Sequence, residues 1–306
     1  MGEYKVTEQK KEVFNCLYDL LVEFDRVCRE NNLNYSLEGG TLIGAIRHDG
    51  FIPWDDDIDI MMPRKDYDKL KMLGQNGIFK NPYFFQTPDT DEGSPRLFIR
   101  LRNTETTSIS LDDIALHMNH GIFIDIMPID YVPNTHMVLK AELLLFKILQ
   151  KISGGYAKYY SGVNVKGKGI GTKAFFYLLY PFYKSKIITS KRIFKLSEAI
   201  ISNKLFAKSN TCGLVPWMIF DSKACWPIDY FQDGFTKHIF EDEQFSIVKN
   251  YDQVLTKIYG NYMKPKKMPT GHGNITQFAN ISYIKYIKEN EDLLKEQWID
   301  RHIVNH

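Results

Sequence analysis

The stretch from Leu37 to Ile60, LEGGTLIGAIRHDGFIPWDDDIDI, carries four aspartates in its last six residues: Asp55, Asp56, Asp57 and Asp59. Alternate side chains of a strand share a face. An extended Asp57-Ile58-Asp59-Ile60 therefore sets Asp57 and Asp59 on one side and the isoleucines on the other, and Asp55 joins the acids if the strand reaches back to it. Like charges about 4 Å apart repel by roughly 4 kcal/mol at a dielectric of about 20. A hard divalent cation with oxygen ligands, Mg²⁺ foremost, is the simplest group to sit among them. A solvated acidic loop fits poorly, because Trp54, Ile58, Ile60 and Met62 place the run at the edge of a core.

Two further pieces supply chemistry. Gly39-Gly40-Thr41 breaks one short strand and opens a helix. Bare backbone and free N–H groups at a helix N-terminus favour a phosphate. Further on, GIFIDIMP at 121–128 is an apolar strand with one acid, Asp125. A lone carboxylate there is costly to bury without a partner, and a metal shared with Asp57 and Asp59 would supply one.

The elements that must position these residues follow from periodicity. Residues 7–30 repeat apolar side chains at helical spacing behind Thr7, a good N-cap. Leu33, Tyr35 and Leu37 alternate as a short strand. A helix is expected at 41–47, a strand at 57–60 and a helix at 64–73 closed by Gly74 and Gly77. Strands are expected at 83–86, 96–102, 106–111 and 121–127, with Pro128 and Pro133 ending this half. In the 96–102 strand, Arg96, Phe98, Arg100 and Arg102 share a face; turned toward the aspartates, they would hold a phosphate by forked hydrogen bonds. The second half reads as mostly helical, with helices at 135–152 and 190–208, a Gly- and Lys-rich linker at 161–171, a strand or turn and then a helix across 242–260, and a 265–273 loop holding His272. The expected class is α+β: a mixed sheet with flanking helices in residues 1–134, and a mainly helical region, 135–306, packed on it.

Composition narrows the class. The chain has 306 residues, 44% of them apolar, enough to bury a core. No apolar run approaches the roughly 20 residues needed to span a bilayer, and no signal peptide is evident. Cys16, Cys28, Cys212 and Cys225 show no paired spacing and read as reduced thiols of a cytoplasmic protein. Net charge is only +2, yet residues 143–197 contain eleven Lys and Arg and no Asp or Glu. With the aromatics of 156–183, that span suggests peripheral contact with an anionic inner membrane surface or with a lipid-linked acceptor. A nucleic-acid binder leaves the three spaced aspartates unexplained and shows no recognisable motif, so no nucleic-acid partner is expected.

In this order, a helix, a Gly-Gly-Thr helix start, an Asp-x-Asp strand and a later Asp strand resemble the nucleotidyltransferase fold. More narrowly, GTLIGAIRHDGFIPWDDDIDIMMPRKDY at 40–67 resembles the signature of the LicD family of phosphocholine transferases. FIRLRNT at 98–104, GIFIDIMPID at 121–130 and YGNYMKPKKMPTGH at 259–272 are similar to later family blocks, with Arg100 where lysine is expected. The resemblance implies transfer of a phosphoalcohol, typically phosphocholine from CDP-choline, to a hydroxyl of a cell-surface glycan, teichoic acid or lipid-linked precursor. By position, Asp57, Asp59 and Asp125, with Asp55, would hold two Mg²⁺ or Mn²⁺ ions, and Asp125 would also take the acceptor proton. Gly39, Gly40 and Thr41 would cradle the donor phosphates; Arg47, His48, Arg100 and His272 are candidate phosphate contacts. The same acids also suit an Asp-x-Asp glycosyltransferase or a nucleotidyltransferase proper, which differ in the product released. Which alcohol is moved, and to which acceptor, is open at this stage.

Overall fold

A computed structural model describes residues 6–110, 113–163, 165, 169–202, 208–221, 223–266 and 275–294. The first half runs α1 (Glu8–Glu30), β1 (Ser36–Leu37), α2 (Gly39–His48), β2 (Asp59–Pro63), α3 (Arg64–Gln75), β3 (Tyr83–Gln86), β4 (Ile99–Asn103), β5 (Thr107–Ser110) and β6 (Ile122–Tyr131). The second runs α4 (His136–Tyr160), α5 (Ile170–Lys184), α6 (Ser190–Ile201), β7 (Thr211–Gly213), α7 (Val215–Met218) and β8 (Cys225–Pro227). It closes with β9 (Phe235–Phe240), β10 (Glu243–Val248), α8 (Tyr251–Tyr259), β11 (Ile275–Phe278) and α9 (Tyr283–Glu289).

The main sheet has the order β1-β2-β6-β4-β3, with β7 and β8 added at the far end of β6. Strands β2 and β6 are parallel and their other neighbours antiparallel, so the sheet is mixed. Helix α1 lies along it and buries Leu17, Leu20, Leu21, Phe24 and Val27, the stripe expected from its three- and four-residue spacing. Thr7 caps it, accepting a hydrogen bond from Lys10 N at 3.3 Å.

Several expectations shift. Strand β6 does not end at Pro128 but runs on to Tyr131. At Pro128 only β2 still flanks it, because β4 has ended at Ile99 opposite Ile126, and a residue without an N–H is tolerated where one side of a strand is free. Strand β5, expected as the partner of the 96–102 strand, pairs instead with β11. The helical character expected of the second half holds for α4, α5 and α6, but five short strands follow from Thr211 onward. Strands of three to six residues are too short to show alternation clearly.

The two halves share one core. A single apolar cluster extends from Val13 to Tyr262. Two buried ion pairs stitch across it: Arg64 on α3 reaches Asp130 on β6 at 2.5 Å and Glu198 on α6 at 2.9 Å. No helix among the described residues is long and apolar enough to cross a membrane.

Candidate active site

The acids are gathered by sheet register. Asp59 on β2 stands opposite Asp125 on β6, Asp125 opposite Arg100 on β4, and Arg100 opposite Gln86 on β3. Residues in register across neighbouring strands project to the same face. One row therefore crosses four strands as Asp59, Asp125, Arg100 and Gln86. All four side chains are buried.

Arg100 turns out to be the partner that Asp125 needs. Its Nε and Nη2 donate to the two carboxylate oxygens at 2.6 and 3.0 Å. The guanidinium also lies 3.7 Å from the centroid of Phe123, whose ring has Arg102 at 4.7 Å as well. Arg102, two residues along β4, donates instead to Gln86 Oε1 and Gly121 O, both at 2.6 Å. Burial, then the like charge of Arg100, lowers its pKa to about 9.

The remaining aspartates lie in the loop that enters β2. Carboxylate oxygens of Asp55, Asp56 and Asp57 fall within 4.8 Å of one another. The glycine pair lets this loop close on the start of α2. A Cβ on Gly40 would stand 2.4 Å from Asp55 Oδ2. Gly39, at φ +53°, would bring one within 3.1 Å of the Tyr259 hydroxyl and 3.8 Å of Asp59 Oδ2. The space in front of the α2 N-terminus is thus lined by carboxylates. Thr41 ties the two parts together, its hydroxyl accepting from Asp59 N at 3.0 Å.

Electrostatics report the crowding. Burial, then Asp57, Asp125, Glu38 and Asp55, raises the Asp59 carboxyl well above the usual carboxylate range. Burial, then Asp57 and Asp56, raises Asp55 to about 7. Glu38, buried immediately before the glycine pair, is raised to about 7 chiefly by its burial. These residues fit a hard divalent cation on their own chemistry: every donor is an anionic oxygen, and the pile-up of like charge is what such an ion would relieve.

Arg47 and His48 stand at the other end of α2, about 10 Å of helix rise from Gly40. Arg47 donates to Tyr262 O at 2.5 Å and to His48 Nδ1 at 3.3 Å. His272 lies outside the described residues. Three side chains that the motifs did not single out also surround the acids. Glu38 and Tyr259 both lay inside the motif blocks without an assigned role. Lys10, on the polar side of α1, faces Asp56, Asp55 and Asp57, and burial lowers its pKa. Nothing in the local pattern of α1 distinguishes Lys10 from a solvated lysine; only the folded chain brings it there. A separate cavity of about 1110 Å³, walled by Phe84, Thr104, His117, Asn119, His120 and Tyr283 among others, includes none of the acidic cluster.

Comparison with known proteins falls on the same residues. Residues 32–143 match the family model described as the LicD/FKTN/FKRP nucleotidyltransferase domain. Over those residues the chain resembles the LicD family. That span holds Gly39 to Thr41, the acidic loop, Arg100 and Asp125. Beyond it, the likeness continues. The chain is 29% identical over 270 residues to the lipopolysaccharide cholinephosphotransferase LicD of Haemophilus influenzae, covering 85% of this chain and 92% of that protein. Shorter matches, 41% identity over 63 residues and 42% over 57, link it to uncharacterized proteins of Rickettsia typhi and Rickettsia prowazekii, about a fifth of each chain.

Proposed function

We propose that this protein transfers a phosphoalcohol, phosphocholine foremost, from a CDP-alcohol to a hydroxyl of a cell-surface glycan or its lipid-linked precursor. The observation that carries this reading is the row Asp59, Asp125 and Arg100 beneath the acidic loop, inside the span that matches the LicD family. The cholinephosphotransferase named among its relatives, similar over most of both chains, supports the phosphocholine group and a lipopolysaccharide-type acceptor. A nucleotidyltransferase-like arrangement of the catalytic half belongs to the same proposal.

In the reaction, the acceptor oxygen attacks the phosphorus that bears the alcohol. A new P–O bond forms, the bridging P–O bond to the cytidylate breaks, and CMP leaves with the bond electrons. The hydroxyl proton passes to a carboxylate. Phosphoryl transfer asks for in-line positioning and charge neutralisation more than for covalent help. Asp55, Asp57, Asp59 and Asp125 would hold divalent cations, Mg²⁺ or Mn²⁺. Bound there, the ions would offset charge on the entering and leaving oxygens.

The chain's own residues set the rest. Gly39 and Gly40 admit the acids to the α2 N-terminus, and Thr41 fixes Asp59. Arg100 orients Asp125 by a forked bond and lends positive charge to the same row. Asp125, with one lone pair of each oxygen still free beside the Arg100 fork, is the proposed proton acceptor. Arg47, His48 and His272 remain candidates for more distant donor contacts.

Product analysis tests the reading. With Mg²⁺ and a glycan acceptor, a panel of CDP-alcohols should give CMP from one of them. Release of a nucleoside diphosphate from a nucleotide-sugar, or of pyrophosphate from a nucleoside triphosphate, would instead make the protein a glycosyltransferase or a nucleotidyltransferase.

A further inference from the structure

Helix α5 contradicts the usual economy of a water-facing helix. Its sequence, IGTKAFFYLLYPFYK, is apolar nearly all round. Only one narrow stripe meets the protein: Phe176 and Tyr183 are buried, against Tyr156 on α4 and against each other. The other sides face out, with Ile170 84%, Leu178 70%, Tyr177 51% and Phe182 44% exposed. Ile187, just past the helix, is 58% exposed. On α4, Leu144, Leu145 and Ile148 are exposed beside Lys147 and Lys151. A helix apolar on all sides is ordinarily buried or in contact with lipid.

We infer that α5, with the exposed side of α4, rests in the interfacial layer of an anionic bilayer. Fifteen residues rise about 22 Å, too short to cross the roughly 30 Å hydrocarbon core, so the helix lies along the surface. Aromatic and aliphatic side chains enter the acyl boundary, while Lys184 and Lys186, both exposed at the helix end, reach lipid phosphates. Charge selects this occupant. On α4, α5 and the turn after α5, Lys147, Lys151, Lys184 and Lys186 are exposed, and the sequence from 143 to 197 holds no acid. An anionic surface complements those lysines. A second copy of the chain in a two-fold contact through these elements would set the same lysines against one another. A nucleic acid would meet the charge but would leave the exposed leucines and isoleucines in water. The inference is independent of the transfer chemistry, although a lipid-linked acceptor would be delivered to the same surface.

Co-sedimentation of the full chain tests it, with vesicles of phosphatidylcholine alone and of phosphatidylcholine and phosphatidylglycerol in equal parts. The protein should sediment with the mixed vesicles. It should leave them as salt rises from about 0.15 M to about 1 M, where screening shortens from about 8 Å to about 3 Å. Leu178→Asp with Phe182→Asp should weaken partitioning by at least about tenfold, as expected for lost apolar insertion. Lys184→Glu should weaken it by about fivefold or more. Unchanged melting midpoints should accompany these losses, since the side chains point outward. Should a variant fail to fold, hydrogen exchange on the wild-type chain gives the same answer: vesicles should slow exchange in 170–187. No sedimentation with either vesicle, partitioning indifferent to the aspartate pair, or a lipid-independent dimer broken by that pair would each overturn the inference.

Discussion

Both carboxylate oxygens of Asp125 are held by Arg100, through Nε at 2.6 Å and Nη2 at 3.0 Å, in a pair almost closed to solvent. A buried ion pair contributes little against an apolar substitute, but losing one partner strands the other charge. Arg100→Met should therefore destabilise the chain by about 3–5 kcal/mol. Arg100→Lys, which keeps the charge and loses the fork, should cost less. Urea unfolding of the three proteins checks the order, and a neutral Arg100→Met would show that Asp125 finds another partner.

Gly40 separates function from stability. An added Cβ would meet Asp55 Oδ2 at 2.4 Å. Asp55 is a loop side chain and can move, so Gly40→Ala should leave the fold nearly intact while displacing the acid. A shift of about 1 Å at a reacting centre can cost on the order of 10²-fold in rate. Gly154 on α4 is the control: a Cβ there meets nothing within 4 Å. Gly154→Ala should stabilise by about 0.5–1 kcal/mol with rate unchanged. Thermal melts beside initial rates distinguish the two substitutions.

Much of this was legible in the residues themselves. The Asp-x-Asp spacing and the single Asp in 121–127 pointed to one site; register sets Asp59 beside Asp125, while Asp57 lies in the loop with Asp55 and Asp56 rather than on the strand. Arg100 was readable as facing the acids but not as the partner of Asp125, because period-two alternation fixes a face and not a neighbour. Lys10 and Tyr259 come from far along the chain, and no local spacing announces such contacts. Strands β7 and β11 escaped for the same reason, since each pairs with a strand distant in sequence; of the local β9–β10 hairpin only the β10 side was readable, as a strand or turn ahead of α8.

Glu142 provides a pH test away from the acids. It is buried on α4 with neither carboxylate oxygen hydrogen-bonded among the described residues. Burial, then Asp130, raises its pKa from 4.5 to about 7. The folded state therefore holds this proton more tightly than the unfolded chain. Its stability is fully present below pH 4.5, declines as pH rises through that window, and levels off above about 7. Glu142→Gln should gain on the order of 2 kcal/mol at pH 8 and almost nothing at pH 4. Denaturation midpoints of the pair across that range give the difference directly, and a gain independent of pH would point to packing instead.

Divalent cations should act on stability before chemistry begins. Asp59 stands buried among Asp57, Asp125, Glu38 and Asp55, so an ion that relieves their repulsion binds the folded state alone. At a concentration about 100 times its dissociation constant, Mg²⁺ should add about 2.7 kcal/mol. The thermal midpoint should rise with Mg²⁺ in the wild type and much less in Asp59→Asn. An equal rise in both would place the ion elsewhere.

The most direct measurement is CMP release from CDP-choline with an acceptor glycan, comparing wild type in Mg²⁺, wild type in EDTA, and Asp59→Asn in Mg²⁺. The account predicts release in the first alone, with phosphocholine recovered on the acceptor. Undiminished release in Asp59→Asn would contradict it, as would a folded, Mg²⁺-loaded wild type that releases no CMP from any CDP-alcohol.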